Sequence, residues 1–239
     1  MAKSSPPLAR RAFTLIEMLV VIAAVSVLFA LLVPAFTSAF ERAKVTKDLS
    51  NLRQIGAATQ LYMNDNNGAF PGSANVTWMS QLNPKYLSSW RVLESPFDRR
   101  LSSEAGAGSP VSPISYGINS NVYSGGGAIS ADKITKPVTF IVFAPAQDNS
   151  ATTVTFQGQA TTSPPGVTLS GSSNTVTSNP GGVPVGGPHS NRVKINALCA
   201  DWHADTMLWS ATSPAFKNTS DPGNDADAQY RWCPQPPCP

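Results

Sequence analysis

The pattern of apolar and polar positions changes character twice along this chain. From Met18 to Phe40 there is no charged residue, and Phe13 to Ile16 ahead of it are uncharged as well. Glu17 is therefore the one carboxylate in a long apolar run. As a helix rising about 1.5 Å per residue, Met18 to Phe40 is roughly 35 Å long, enough to cross a hydrocarbon core of about 30 Å. Arg10 and Arg11 precede the run and would stay on the cytoplasmic side. Pro34 falls inside it and is expected to kink or loosen the helix, because it removes a backbone donor. Beyond the run, Val45, Leu49, Leu52, Ile55, Ala58 and Tyr62 recur at spacings of three and four. That spacing predicts that the helix continues outside the membrane with one apolar stripe. Lys44, Lys47, Asp48, Arg53 and Gln60 are placed mostly on its other, polar surface. Asn64-Asp65-Asn66-Asn67-Gly68 and the nearby Pro71 predict its end.

After residue 65 the pattern breaks into short segments. Strands are predicted at Val138–Phe143, Thr152–Phe156, Lys194–Ala200 and Asp205–Trp209, with Phe140, Val142, Ile195, Ala197 and Cys199 on one face. Residues 158–188 are rich in Ser, Thr, Gly, Asn and Pro and read as a long surface excursion with a short strand at Val167–Leu169. The predicted fold class is α+β: a long N-terminal helix, its first half membrane-spanning, packed by its outer half on an antiparallel β-sheet.

Glu17 is the anomaly in this pattern. A carboxylate at the centre of a membrane helix costs roughly 2.5–3.5 kcal/mol on insertion scales. Its surroundings, Arg10-Arg11-Ala12-Phe13-Thr14-Leu15-Ile16-Glu17, resemble the prepilin signature of the type IV pilin superfamily, and of type II secretion pseudopilins in particular. The resemblance implies a leader over residues 1–12, a cut between Ala12 and Phe13 by a prepilin peptidase, and N-methylation of Phe13 by the same enzyme. Glycine is usual before the cut, and Ala12 is a small departure. A secretory signal peptide cut after Thr37-Ser38-Ala39 is the rival reading. The length of the apolar run and the carboxylate within it count against that reading.

The segment Ser50-Asn51-Leu52-Arg53-Gln54-Ile55-Gly56 with Tyr62, Asp65, Asn66, Gly68 and Pro71 resembles the G-type pseudopilin-like branch. So do Trp78, Leu82-Asn83-Pro84-Lys85-Tyr86-Leu87 and Ser115-Tyr116-Gly117-Ile118-Asn119. Where that branch often has Cys-Pro-Ser-Asp, this chain has Ser95-Pro96-Phe97-Asp98. The implied organisation is a leader (1–12), a long helix (13–66) with its transmembrane part at about 13–40, and a loop-rich globular domain (67–239). The implied function is structural: a subunit, not an enzyme, assembled through Phe13 to Phe40 into a secretion pseudopilus or a pilus. Glu17 would direct assembly. The partners would be the inner membrane, the prepilin peptidase, other pilin or pseudopilin subunits and the secretion assembly platform. The globular domain would lie in the periplasm or on an extracellular filament. The alternative is a membrane-anchored extracytoplasmic binding or display domain.

Composition narrows the remaining choices. The formal net charge is +3, and Lys3, Arg10 and Arg11 in the leader account for that excess. The mature chain is then near neutral, with no basic field for nucleic acid. The 17 glycines and 21 prolines fit a loop-rich outer region. Of the three cysteines, Cys233 and Cys238 can close a small loop in an oxidising compartment, leaving Cys199 free and buried. Alternatively Cys199 bonds one of the two and pins the tail.

Two clusters suggest chemistry. His189, Asp201, His203 and Asp205 could hold a divalent ion, since residues 201, 203 and 205 would share a face of a strand. The family offers a structural reading instead: Ala200-Asp201-Trp202-His203 resembles its Ala-Asp-Gly-His hairpin turn, with Trp202 where Gly is usual. The second cluster is Asp221, Asn224, Asp225 and Asp227 in a Gly/Pro loop, whose oxygens suit calcium. The resemblance implies a calcium loop at a comparable place before Trp232, and a solvated turn is the other reading. No phosphate loop, nucleophile elbow or dinucleotide fingerprint is present.

Overall fold

The computed structural model describes residues 14–73, 75–100, 113–124, 127–146, 154, 156, 168–169, 177–178, 184–185, 189–190, 193–209, 216–217 and 228–235. Its longest element is helix α1, Leu15–Asp65, which runs through Pro34 without a break. The chain divides into two compact units, one ending at Ala43 and one beginning at Lys44. In the first unit, the described residues are this helix and its cap, with exposed apolar side chains such as Leu15, Leu28, Leu31 and Phe40.

In the second unit the rest of α1 contributes to the core. Leu52, Ile55, Ala58 and Met63 are buried, each apolar side chain of this size stabilising by roughly 1.5–3 kcal/mol when fully removed from water. The buried face differs from the predicted stripe. It contains Asp48, Asn51, Gly56 and Thr59, whereas Val45, Leu49 and Tyr62 are only partly covered. Asp48, placed on the polar surface by the sequence pattern, is wholly buried. The helix ends as its composition predicts. Asn67 and Gly68 take positive φ values of 53° and 76°, and the Gly68 amide reaches back to the Met63 carbonyl at 2.8 Å, satisfying an orphan carbonyl of the last turn.

A short helix α2, Trp78–Leu82, follows, capped by the Thr77 hydroxyl. The strands are β1 (Tyr116–Asn119), β2 (Tyr123–Ser124), β3 (Gly127–Ala128), β4 (Ile141–Pro145), β5 (Thr168–Leu169), β6 (Thr177–Ser178), β7 (Pro184–Val185), β8 (Lys194–Cys199), β9 (Ala204–Trp209) and β10 (Phe216–Lys217). Six form one sheet in the order β10-β9-β8-β4-β1-β5, and β2 with β3 and β6 with β7 form separate pairs. The four central strands pair antiparallel, as predicted, while β5 adds to β1 in parallel at one edge.

Three expectations change here. The strand predicted from Val138 starts at Ile141, because the Thr139 and Phe140 amides turn back to the Lys136 carbonyl. One-sided alternation is replaced by burial on both faces: Phe140 through Ala144 are all fully buried. Strand β1 was not predicted, since four fully covered residues including a glycine carry no alternation. The excursion at 158–188 also contributes more than surface. Leu169 is fully buried, and a Cβ on Gly117 would lie 3.0 Å from its side chain, so β1 and β5 meet closely. The candidate at Thr152–Phe156 lies mostly outside the described residues, although Phe156 is buried.

The tail is held by backbone acceptors. Asn119 and Asn121 donate to the Trp232 carbonyl at 3.3 and 2.7 Å, and the Thr135 amide donates to the Pro234 carbonyl at 2.8 Å. Cys199 is free and buried, with its thiol pushed up to about 12 by desolvation, so it does not pin the tail. Cys233 is disulfide-bonded. Cys238, its sequence-level partner, lies outside the described residues.

At Gly56 α1 comes close to the sheet. A Cβ there would lie 3.0 Å from Leu198 Cδ2 and 3.4 Å from the Trp202 ring. Gly56→Val should therefore overpack the joint and destabilise the full-length protein by about 1–3 kcal/mol, despite the better helix propensity of any residue over glycine. Denaturant unfolding in detergent micelles measures this.

Candidate functional site

The head of α1 is built by two residues. The Thr14 amide and hydroxyl donate to Glu17 Oε2 at 2.8 and 2.7 Å, and the Glu17 amide donates to Thr14 Oγ1 at 3.3 Å. This reciprocal arrangement is a capping box: it satisfies two of the amides that every helix start leaves without an intrahelical acceptor. It also explains how Glu17 is tolerated at one end of an apolar run, where the positive end of the helix dipole favours an anion. Along the rest of the run the hydroxyls bond inward. Ser26 donates to the Ile22 carbonyl at 2.7 Å, and Thr37 and Ser38 both donate to the Pro34 carbonyl at 2.9 and 3.2 Å. The side faces thus offer hydrocarbon and few free polar groups, as a lipid-facing helix requires. Ala12 and Phe13, the residues at which processing is expected, lie outside the described residues.

The His189, Asp201, His203 and Asp205 set is separated. His189 is buried, stacks on Phe97 at 5.6 Å between ring centroids, and bridges Lys194 at the start of β8. Asp201 and His203 sit in the turn beyond the other end of the six-residue β8, whose five rises span roughly 17 Å. There Asp201 accepts from both the backbone amide and the ring Nδ1 of His203. Asp205 is exposed on β9 and accepts from the adjacent Thr206 amide at 2.7 Å. Among the described residues no three or more His, Cys, Asp or Glu side chains gather as a metal set. The hairpin reading therefore describes Asp201 and His203, and residues 201, 203 and 205 do not share a strand face.

Trp202 shows what replaced the glycine of that turn. Its φ is +71°, a left-handed conformation that costs a bulky residue on the order of 1–3 kcal/mol. The indole lies 6.3 Å from the Phe70 ring and covers Gly56, so packing against α1 offsets the strain. The calcium candidates Asp221, Asn224, Asp225 and Asp227 lie outside the described residues.

Sequence reasoning missed a buried polar cluster where α1 meets the sheet. Asp48 Oδ1 accepts from Ser95 Oγ at 2.7 Å and Tyr116 Oη at 2.6 Å, and Asp48 Oδ2 accepts from Asn196 Nδ2 at 2.8 Å. Thr206 Oγ1 fixes Asn196 from the far side at 2.7 Å. Burial raises the Asp48 carboxyl above its ordinary range, outweighing the three hydrogen bonds that favour ionisation. Burial likewise raises Tyr116, and the Asp48 charge adds to it. The signal was in the helical phase: Asp48 lies four residues before Leu52 and seven before Ile55, on the face that the core covers. Nearby Asp98 behaves oppositely. Burial alone would raise it, but Arg100 at 2.6 Å and Ser115 at 2.7 Å hold it below the usual range.

Comparison with known proteins bears on the helix head. A family described as "Prokaryotic N-terminal methylation motif" matches residues 8–33, which include the capping box and most of the apolar run. By this motif the chain is type IV pilin-like at its N-terminus. It is 37% identical over 87 residues to a fimbrial protein of Neisseria meningitidis serogroup B, covering 35% of this chain and 50% of that relative. The chain thus spans about half the length of the curated relative it matches. No solved structure matches it. The motif and the apolar N-terminal helix, the one helix among the described residues long and apolar enough to cross a membrane, fit a membrane-anchored protein.

The capping box yields a local prediction. Thr14→Val removes both hydroxyl bonds and should cost the helix head about 1 kcal/mol. Amide hydrogen exchange in micelles should quicken roughly five-fold at Glu17 and stay unchanged beyond the second turn.

Proposed function

We propose that this chain is a structural filament subunit, made as a precursor and pulled from the inner membrane into a helical bundle of its own kind. A prepilin peptidase would cut between Ala12 and Phe13 and methylate Phe13. The globular domain would stand outward, in the periplasm or on an extracellular filament. The filament is a type II secretion pseudopilus, for which the G-type resemblance speaks, or a type IV pilus, for which the Neisseria fimbrial relative speaks. The role is one of assembly, not catalysis.

The observation that carries this reading is the placement of Glu17. Its carboxylate is held at the head of an apolar run with no other charge up to Phe40, bonded to the Thr14 amide one residue from the Phe13 nitrogen. Cleavage would turn that nitrogen into an ammonium group. Glu17 would then neutralise its own terminus or, in a staggered bundle, that of a neighbour. Charges attract strongly in a low-dielectric setting, and an unpaired carboxylate there is costly. Such pairing selects one axial register, which apolar packing between hydrocarbon faces does not. A domain merely displayed on a membrane anchor needs no such register.

Glu17→Val tests the proposal. The basic flank and the small residue at the cut are untouched, so membrane insertion and cleavage should persist. Sheared filaments should lose most of their subunit while processed protein accumulates in the membrane. A normal filament yield would remove Glu17 from assembly. Absence of any filament from the wild type under conditions of full expression would favour the display domain.

A further inference from the structure

The second unit carries its surface charge unevenly. Lys44 and Lys47 stand exposed on the first turns of α1 in that unit. Lys44 Nζ lies 5.8 Å from the centre of the Phe97 ring, and Phe97 stacks on His189 at 5.6 Å. His189 in turn exchanges backbone hydrogen bonds with Lys194. The start of β8 is therefore held at the end of the unit where α1 enters. Asn196 Nδ2 donates to Asp48 on α1 at 2.8 Å, so Asn196 faces the helix. Strand side chains alternate, which puts Lys194 on that same face, nearer the entry end. Arg99 is exposed and follows Phe97 by two residues, within about 7 Å of it.

Among the described residues none of these four cations is in an ion pair. The acids around them do not cancel them. Asp98 is taken by Arg100 at 2.6 Å, and Asp48 is enclosed by Ser95, Tyr116 and Asn196. Glu94 stands further along α1, where its carbonyl receives the Asn51 amide. Elsewhere the charges alternate in sign. Asp65 pairs with Lys85 at 2.7 Å, and Asp132 precedes Lys133. The Asp201 amide bonds the carbonyl of Pro137, next to Lys136, which leaves the exposed Asp205. Among the described residues there is thus no acidic concentration by which a second copy would match the basic end.

Connectivity sets what that end meets. Phe40, the last residue of the uncharged run, lies four residues before Lys44. Along a helix Lys44 is then about 6 Å and Lys47 about 10 Å beyond it, within roughly a Debye length of a membrane surface. Basic residues are normally scarce on the translocated flank of a membrane segment. Here Arg42, Lys44 and Lys47 all fall on it.

We propose that Lys44, Lys47, Arg99 and Lys194 form a basic collar that docks the globular unit on anionic phospholipid headgroups, in the leaflet from which α1 emerges. Cationic side chains close to an anionic leaflet are drawn by its surface potential. Phe97 and His189 are the platform that brings Arg99 and Lys194, from two other segments, to the level of Lys44. The proposal rests on the membrane-anchored placement of the chain and is independent of filament assembly.

The test places full-length protein as single copies in nanodiscs of phosphatidylcholine, or of an equal mixture with phosphatidylglycerol. Lysine acylation rates are then read by peptide mass spectrometry. Lys194 is the informative residue, because it is far in sequence from the apolar run. In the mixed discs Lys44, Lys47 and Lys194 should react roughly five-fold more slowly than in the neutral discs, while Lys133 and Lys136 are unchanged. Salt at about 1 M should abolish the difference. Equal Lys194 rates in the two discs, or protection that survives the salt, overturns the proposal. So does equal protection in neutral discs loaded with several copies, which would make a second copy the occupant. A variant carrying Lys44→Gln and Lys47→Gln, both at exposed positions, should lose at least half of the Lys194 protection; undiminished protection contradicts a shared collar. Incorporation into neutral discs reads the anchor by itself. Normal incorporation without protection strikes the collar alone, whereas failure to incorporate strikes the anchor and the collar together.

Discussion

Helix α1 must satisfy two environments with one continuous backbone. Its polar backbone groups bond internally, so side chains alone decide where each part can reside. Up to Phe40 those side chains are hydrocarbon and exposed, and the few hydroxyls bond back to the helix's own carbonyls. From Lys44 onward the same helix supplies core residues to a mixed α/β unit. Pro34 lies in the first part, where the Ala30 carbonyl it leaves without an amide donor disturbs no packed core. The cap at the head then matters, because it leaves the helix start with satisfied amides and one fixed negative charge.

The second part of α1 shows how a polar joint can sit inside a core. Leu52 and Ile55 would pack against a sheet in several registers at similar energy. Asp48 does not, because its two oxygens need donors from Ser95, Tyr116 and Asn196 together. One helix position is thereby tied to three distant segments. Gly56 brings the backbone close to Leu198 and Trp202 on the same face, and Trp202 accepts a left-handed backbone to fill the space. Both features limit how the helix can slide against the sheet.

What was legible in the sequence is what depends on local pattern. The apolar run, the helix end at Asn67-Gly68 and strands β8 and β9 follow from periodicity and turn chemistry. The Ala200–His203 turn was legible only through its family resemblance. What escaped depends on contacts between distant segments. β1 shows no alternation because both of its faces are covered; the short strand expected at Val167–Leu169 is present as β5, and what escaped is its parallel pairing with β1. Asp48 was misassigned because a carboxylate is ordinarily solvated, and its three donors lie 47 to 148 residues away. The metal alternative for His189, Asp201, His203 and Asp205, weighed against the hairpin turn, finds no such grouping among the described residues: closeness in sequence between Asp201 and His203 says nothing about His189 at the far end of β8.

On the function proposed, Phe13 heads a helix made for assembly and residues 1–12 are discarded. The most direct measurement is the intact mass of the protein extracted from its native membrane. A chain beginning at Phe13 and heavier by one methyl group is the result expected. A chain that keeps residues 1–12, or one that begins at Phe40 after loss of the whole apolar run, would contradict it.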